Sequence, residues 1–313
     1  MSTTYHELLE TFVARFGWAN SVIVKHPFTL HQLYTIQDVL IYNHGIPIYY
    51  AYPNQEPVAC LPGEFLCIPS RQAIQIRVGS KDAPSVPENF FMTHYATYLT
   101  PTSDLITTDS YAGLSYISFD MQVLGCVNLL DLWDVSAMTI SPNDVIRNLY
   151  NYILLERQVD HIAQKIAFKH AVSLLGLEIV RYMLGCKSFL EGLASRVNYL
   201  QDKRILTILS YINKHIDKEL SNKVLAGLAH ISEDYMGQYF KLAMNERPQA
   251  YVEYQRMKKA IHLLQTTSKA IQTIAKEIGL KDTAYFCRRF KNLFGMQPSK
   301  ARKQGCILTF QVR

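Results

Sequence analysis

No GxSxG elbow, HExxH pair, glycine-rich phosphate loop or paired-carboxylate constellation occurs in the sequence. The usual hydrolytic, metallo- and nucleotide-dependent chemistries therefore lack their residues, and no enzyme is expected. The six cysteines (Cys60, Cys67, Cys126, Cys186, Cys287, Cys306) form no CxxC pair and show no metal-type spacing. That pattern fits a reducing cytoplasm better than a disulfide scaffold. His26, His31, His44 and His94 are scattered, with no HxH pair, so neither a metal nor another cofactor is expected. No apolar run approaches the roughly 18 residues of a membrane span; "AVSLLGLEIV" is cut by Glu178. The opening stretch "MSTTYHELLETFVARFG" has neither the basic nor the apolar region of an export signal and reads as a short amphipathic helix. A soluble protein with no membrane partner is the expectation.

What is present is unevenly spread. Residues 1–199 carry 12 Lys and Arg against 17 Asp and Glu, a balance of −5, whereas residues 200–313 carry 20 against 9, a balance of +11. A basic C-terminal third on an acidic body suggests a polyanion partner for that third. A solvated basic face is the alternative on charge alone.

Residues from about 20 to 125 hold short alternating runs such as "DVLIYNHGIPIYYAYP", "AIQIRVG" and "GLSYISFDM", bounded by turn residues. This pattern predicts several short strands in a barrel or sandwich, with "SKDAPSVPEN" (Ser80–Asn89) as a loop. After Ser141-Pro142 the period becomes helical: Ile146, Leu149, Ile153 and Leu154, then Val159, Ile162, Ala163 and Ile166, then Ala171–Leu184. These helices, about 142–185, either dimerise or pack on the sheet region. A polar break near Ser195–Lys203 divides a domain of residues 1–195 from a second of 200–313. Tyrosines are dense among the strands. Tyr34, Tyr42, Tyr50 and Tyr95 are candidates for a small-molecule effector pocket, the alternative being aromatics that fill the core. Cys60 and Cys67 lie close in sequence, a spacing that does not fix their geometry.

The basic third reads as helix throughout. Ile205, Ile208, Leu209, Ile212 and Ile216 mark one face of its first helix. Further on, Ile271, Ile274, Ala275 and Ile278 mark a short helix, and Gly279 can end it in the left-handed region. Asp282 then stands as N-cap to a second helix whose buried face is Tyr285, Phe286 and Phe290. About fifty residues earlier the pattern occurs once before. Val224, Leu225 and Leu228 face inward, Ser232 caps, and Tyr235, Met236, Tyr239 and Phe240 supply the apolar face. Between the units Pro248 opens a helix running to about Thr266, with Tyr251, Tyr254, Met257, Ile261 and Leu264 toward the core. Two helix-turn-helix units on a linker of this length fit successive major grooves, roughly 34–36 Å apart. Ser232, Arg289, Lys291, Lys300, Arg302 and Lys303 are then candidates for phosphate contacts.

This part of the chain resembles the AraC/XylS family of bacterial transcription regulators. The resemblance rests on Ile271, Ile274-Ala275, Ile278-Gly279, Asp282, Tyr285-Phe286, Arg289-Phe290-Lys291, Phe294-Gly295, Pro298-Ser299 and Arg302. It continues more loosely at Leu225-Ala226, Ser232, Met236, Phe240-Lys241, Pro248, Tyr251, Arg256, Ala260 and Leu263-Leu264, and covers about 100 residues. His230 and Asn245 stand where the family usually has glycine, Leu280 where it has an aromatic, and Ala301 where it has Tyr or Phe. The resemblance implies base contacts from Asp234, Gly237, Gln238 and Lys241 in the first unit and from Thr283, Ala284, Cys287 and Arg288 in the second. "LPGEFLCIP" (Leu61–Pro69) resembles the turn and strand of a cupin-like barrel. The expected architecture is therefore α+β: an N-terminal cupin-like β-barrel with flanking dimerisation helices, then an all-α C-terminal domain. The expected partners are double-stranded DNA, RNA polymerase, a second copy of the chain, and either an effector or a regulatory protein. An activator is the expected outcome.

Overall fold

The computed structural model describes residues 9–102, 113–125, 127–141, 143–158, 162–186, 202–294 and 297–304. The fold is mixed, with a sheet-rich N-terminal region and a helical C-terminal one. The chain forms two compact units. Residues 12–121 and 134–185 make the first; residues 122–133 group with the helices that follow residue 186 in the second.

Eleven strands are assigned among the described residues: β1 (Val13–Val24), β2 (Phe28–Tyr34), β3 (Asp38–Asn43), β4 (Ile48–Ala51), β5 (Val58–Cys60), β6 (Phe65–Ile68), β7 (Ala73–Val78), β8 (Leu99–Pro101), β9 (Gly113–Val123), β10 (Val127–Asn128) and β11 (Met138–Ile140). One sheet runs β11-β6-β3-β9-β1-β8 with β10 beside β9, and a second runs β2-β7-β4-β5. The pattern in β7 alternates as expected, with Ile74, Ile76 and Val78 buried and Gln75 and Arg77 partly exposed. Strand β6 and nearly all of β3 and β9 are instead buried on both faces. The buried Asp38 is one reason the centre tolerates this: its carboxylate accepts from Ser70 N at 2.9 Å and Met121 N at 3.3 Å, so its burial is compensated by hydrogen bonds.

The expected N-terminal helix is corrected in its second half. Leu9 and Glu10 are helical, but Val13–Gly17 open the twelve-residue strand β1. Its Phe16 ring stacks on Phe168 at 4.4 Å, a long-range contact that local periodicity does not carry.

Short helices α1 (Glu88–Thr93) and α2 (Tyr95–Tyr98) come next, α1 taking the last two residues, Glu88 and Asn89, of the expected Ser80–Asn89 loop. Helix α3 (Leu129–Leu132) lies in the 122–133 segment. Helix α4 (Asp144–Glu156) is capped by Asn143, whose Oδ1 accepts from Ile146 N at 2.8 Å. Its Tyr150 is fully buried, ring to ring with Phe65 at 5.0 Å. Helix α5 (Gln164–Gly185) follows. The helical period expected through Ile162 and Ala163 is not realised: Ile162 is fully exposed and Ala163 has φ +64°. Val159 lies outside the described residues.

The second unit continues with α6 (Lys203–Lys214), α7 (Asn222–Ala229), α8 (Glu233–Met244), α9 (Pro248–Thr266), α10 (Ile271–Glu277), α11 (Thr283–Phe294) and α12 (Pro298–Gln304). Ile205, Ile208, Leu209 and Ile212 of α6 are all fully buried, and Ile216 nearly so. Asn213 donates from its side-chain amide to Gly125 O at 3.0 Å, one contact that places the 122–133 segment with these helices.

Candidate nucleic-acid interface

Helices α7 and α8 form one helix-turn-helix and α10 and α11 another, with the 19-residue α9 between them. Each element starts and stops for local reasons. Helix α7 ends at His230 in the left-handed region, φ +53°. Ser232 then caps α8, its Oγ accepting from Tyr235 N at 3.3 Å. In the second unit Gly279 takes φ +80°, and Asp282 Oδ1 accepts from Ala284 N at 2.8 Å and Tyr285 N at 3.1 Å. The second turn is one residue longer from left-handed residue to cap. Pro248 occupies the first turn of α9, where a missing N–H costs nothing.

From the caps onward the two units keep a spacing of fifty residues. Met236 and Phe240 are fully buried in one, Phe286 and Phe290 in the other. On the far side of α8, Asp234, Gln238 and Lys241 are exposed and Gly237 is half-buried. On the far side of α11, Ala284 and Arg288 are exposed and Thr283 and Cys287 are half-buried. Burial pushes the Cys287 thiol up, away from the thiolate form. A Cβ built at Gly237 would meet nothing within 4 Å, so this glycine is not demanded by packing in the free protein. All eight base-contact candidates thus project from two helices of matched design, and Gln238 and Arg288 both face outward. Lys291 is exposed and Lys300 half-buried.

The tyrosines of the two helices differ in their surroundings from the sequence expectation. Tyr235 and Tyr285 were expected in the buried faces, but they are 43% and 45% exposed, each at the third residue of its helix beside the outward face. A third-turn or first-turn position at the edge of an apolar stripe is ambiguous by period alone. One turn further along α8 on the same side, with its ring 6.1 Å from that of Tyr235, Tyr239 donates from its hydroxyl to Asp202 Oδ2 at 2.9 Å. Asp202 is also the N-cap of α6 and holds the Arg204 guanidinium, with Nη2 at 2.7 Å.

The matching position on α11 is Arg289, a candidate phosphate contact, which in the free protein is engaged by a carboxylate. Arg289 makes a two-pronged ion pair with Glu253 of α9, through Nε to Oε1 and through Nη2 to Oε2 at 2.7 Å. The Glu253 hydrogen bonds raise the Arg289 pKa and fix its charge. Side chains this exposed give a pair of this kind about 0.2–1 kcal/mol. Arg302 is likewise committed in part, donating Nη2 to the Lys269 carbonyl. The Lys303 side chain lies outside the described residues.

Helix α9 also fixes the two units to each other. Arg256 donates Nε to Ile216 O at 3.2 Å and Nη2 to Lys218 O at 2.8 Å, so the linker holds the connection between α6 and α7. Desolvation there lowers the Arg256 pKa. A Cβ at Gly279 would fall 2.6 Å from Ile216 O and 2.9 Å from Arg256 Nη2. The turn of the second helix-turn-helix therefore presses on the connection between α6 and α7.

In the sheet unit, the three described tyrosines of the candidate pocket have different neighbours. Tyr42 packs on Phe65 at 4.7 Å and His44 at 4.6 Å. Tyr50 is buried, hydrogen-bonded with Thr139. Tyr95 packs on Phe91 at 6.0 Å. The Tyr34 side chain lies outside the described residues. Tyr52, with His31, Arg71 and Gln75, instead lines a polar groove of about 470 Å³. Cys60 and Cys67 are buried free thiols, both raised in pKa by desolvation, Cys60 to about 12.

A family described as a helix-turn-helix domain matches residues 225–304. The HTH-type transcriptional regulator AlkR of Acinetobacter baylyi is 26% identical over 168 residues, 54% of each chain. The regulatory protein PocR of Salmonella typhimurium is 30% identical over 103 residues, 33% of this chain and 34% of its own. The chain spans about half the length, or less, of these curated relatives. ToxT of Vibrio cholerae O395 aligns over 95% of this chain and 98% of its own with a TM-score of 0.53 at 10% identity, a likeness of fold. AlkR is described as a transcriptional regulator and PocR as a regulatory protein, neither as an enzyme.

Proposed function

We propose that this protein, whose C-terminal region is an AraC-type helix-turn-helix domain, is a sequence-specific transcription regulator that places α8 and α11 in successive major grooves of double-stranded DNA. The observation that carries this reading is the fifty-residue repeat of outward faces, Asp234-Gly237-Gln238-Lys241 and Ala284-Cys287-Arg288-Lys291, each opposite a fully buried pair of core residues. A helix fits the major groove, where all four base pairs are distinguishable. Helix α9, 19 residues long, extends about 28 Å at 1.5 Å per residue, of the order of one duplex turn. The +11 balance of the basic third supplies the phosphate attraction.

Activation, through RNA polymerase, and control by an effector at the sheet unit complete the proposal. The groove at His31, Arg71 and Gln75 suits a small polar ligand better than the separated tyrosines do. A regulatory protein is the second reading for that unit. Apolar side chains left exposed on α4 and α5 (Tyr152, Leu155, Ile166 and Leu174) suit a homodimer contact.

Selection of bound duplexes from a randomised pool tests the DNA reading. Two boxes about one turn apart should emerge, and five extra base pairs between them should abolish binding. Absence of any duplex binding at low salt would end the proposal, because phosphate contacts alone give measurable affinity there.

A further inference from the structure

Tyr239 and Arg289 occupy the same position of the two recognition helices, fifty residues apart. Each is tied to a carboxylate of the helix that precedes its helix-turn-helix: Tyr239 to Asp202 at the start of α6, Arg289 to Glu253 on α9. The mechanical role is common to both. The electrostatic role is not, since Tyr239 carries no charge to conceal and Arg289 does. Arg289 sits next to Arg288, whose side chain is outward and exposed. Left unpaired on an exposed flank, the Arg289 guanidinium would be a strong phosphate ligand. Glu253 engages it with two hydrogen bonds, and its own negative charge disfavours an approaching phosphate.

Non-specific binding to duplex is supplied by phosphate contacts, whereas sequence is read at base edges. Removing one cation from the phosphate count lowers the first without touching the second. We propose that Glu253 is a specificity-determining residue: by holding Arg289 off the DNA backbone it suppresses sequence-independent affinity and leaves the base-directed contact of Arg288 to decide where the second unit binds. This inference rests on the reading of α11 as a DNA-reading helix.

The test is the dependence of affinity on salt for the full-length protein and a mixed-sequence 30-base-pair duplex. Glu253→Gln keeps the shape of the side chain and removes the charge. It should steepen the slope of log K against log[salt] by about 0.9, and at 0.1 M salt tighten binding about eightfold, the equivalent of one extra phosphate contact. Arg289→Gln should leave the wild-type slope unchanged, and the double variant should match Arg289→Gln. Enrichment of preferred sequences from a randomised pool should weaken for Glu253→Gln alone. A slope that flattens by about 0.9 in Arg289→Gln, or one that does not move in Glu253→Gln, would overturn the proposal. Melting curves identify any variant that fails to fold, and the Arg289→Gln slope then decides alone. Failure of the underlying reading looks different: the wild-type protein itself would show no salt-dependent duplex binding.

Discussion

Arg288 carries five N–H donors in a rigid fork, and its side chain is exposed on the face of α11 opposite Phe286 and Phe290. That fork matches O6 and N7 of guanine. Arg288→Ala should cost about 1–3 kcal/mol at one position of the preferred site and relax preference there, read by titrating single-substituted duplexes; equal weakening on every duplex would make it a phosphate contact. His230 illustrates a different residue-scale effect. It holds φ +53°, where an L side chain is strained and glycine is not. Replacing it by glycine relieves that strain but loosens the unfolded chain. A net gain of about 0.5–1 kcal/mol is expected in urea unfolding. Both positions were legible in the sequence, because a cap, a proline or a left-handed residue acts on its immediate neighbours. Ser232, Asp282 and Pro248 were found on the same grounds. The Arg289–Glu253 pair was not, since its partners lie 36 residues apart and meet only once α9 and α11 have packed.

At the scale of the element, the connection of α6 to α8 through Asp202 and Tyr239 is open to a pH test. The Arg204 hydrogen bonds, first, and then those of Tyr239 hold the Asp202 carboxyl well below the usual carboxylate range. A carboxyl depressed in the folded state adds stability above its unfolded pKa, near 3.9, and loses it as pH falls through the lower folded value. Asp202→Asn preserves the cap, because Asn caps as well as Asp. It should cost under about 1 kcal/mol at pH 7, given the partial exposure of the group, and flatten the fall in stability below about pH 4. Thermal melts of both proteins from pH 2.5 to 7 measure this. Element type was readable where the period was long and one-sided, as in α6 and α9. It was misread at Val13–Gly17, where "LLETFVARFG" alternates loosely enough to suit either period. The pairing of β1 in its sheet, and the Phe16–Phe168 stack with α5, make it strand. The grouping of Tyr42 with Tyr50 was not legible for a related reason: β3 and β4 belong to different sheets, and strand density says nothing about which sheet a strand joins.

For the whole molecule, the division of charge and of apolar surface point to different tasks for the two units. Tyr152 and Leu155 on α4 and Ile166 and Leu174 on α5 remain 45–59% exposed, too much apolar area on one helical pair to be neutral in solution. Sedimentation equilibrium should find a dimer. Leu155→Glu with Leu174→Glu should weaken self-association by about tenfold or more, with the melting temperature held. An unchanged association constant would remove these helices from the interface.

Arg256 and Gly279 have a consequence for the promoters such a protein can use. With the turn of the second helix-turn-helix seated against the backbone that follows α6, and a guanidinium bolting that seat, the two reading heads behave as the jaws of a caliper locked at one opening. Any operator whose boxes are slightly out of phase must then be brought into line by twisting or curving the duplex. Tolerance to spacing would track the flexibility of the base steps between the boxes, positions that no side chain touches.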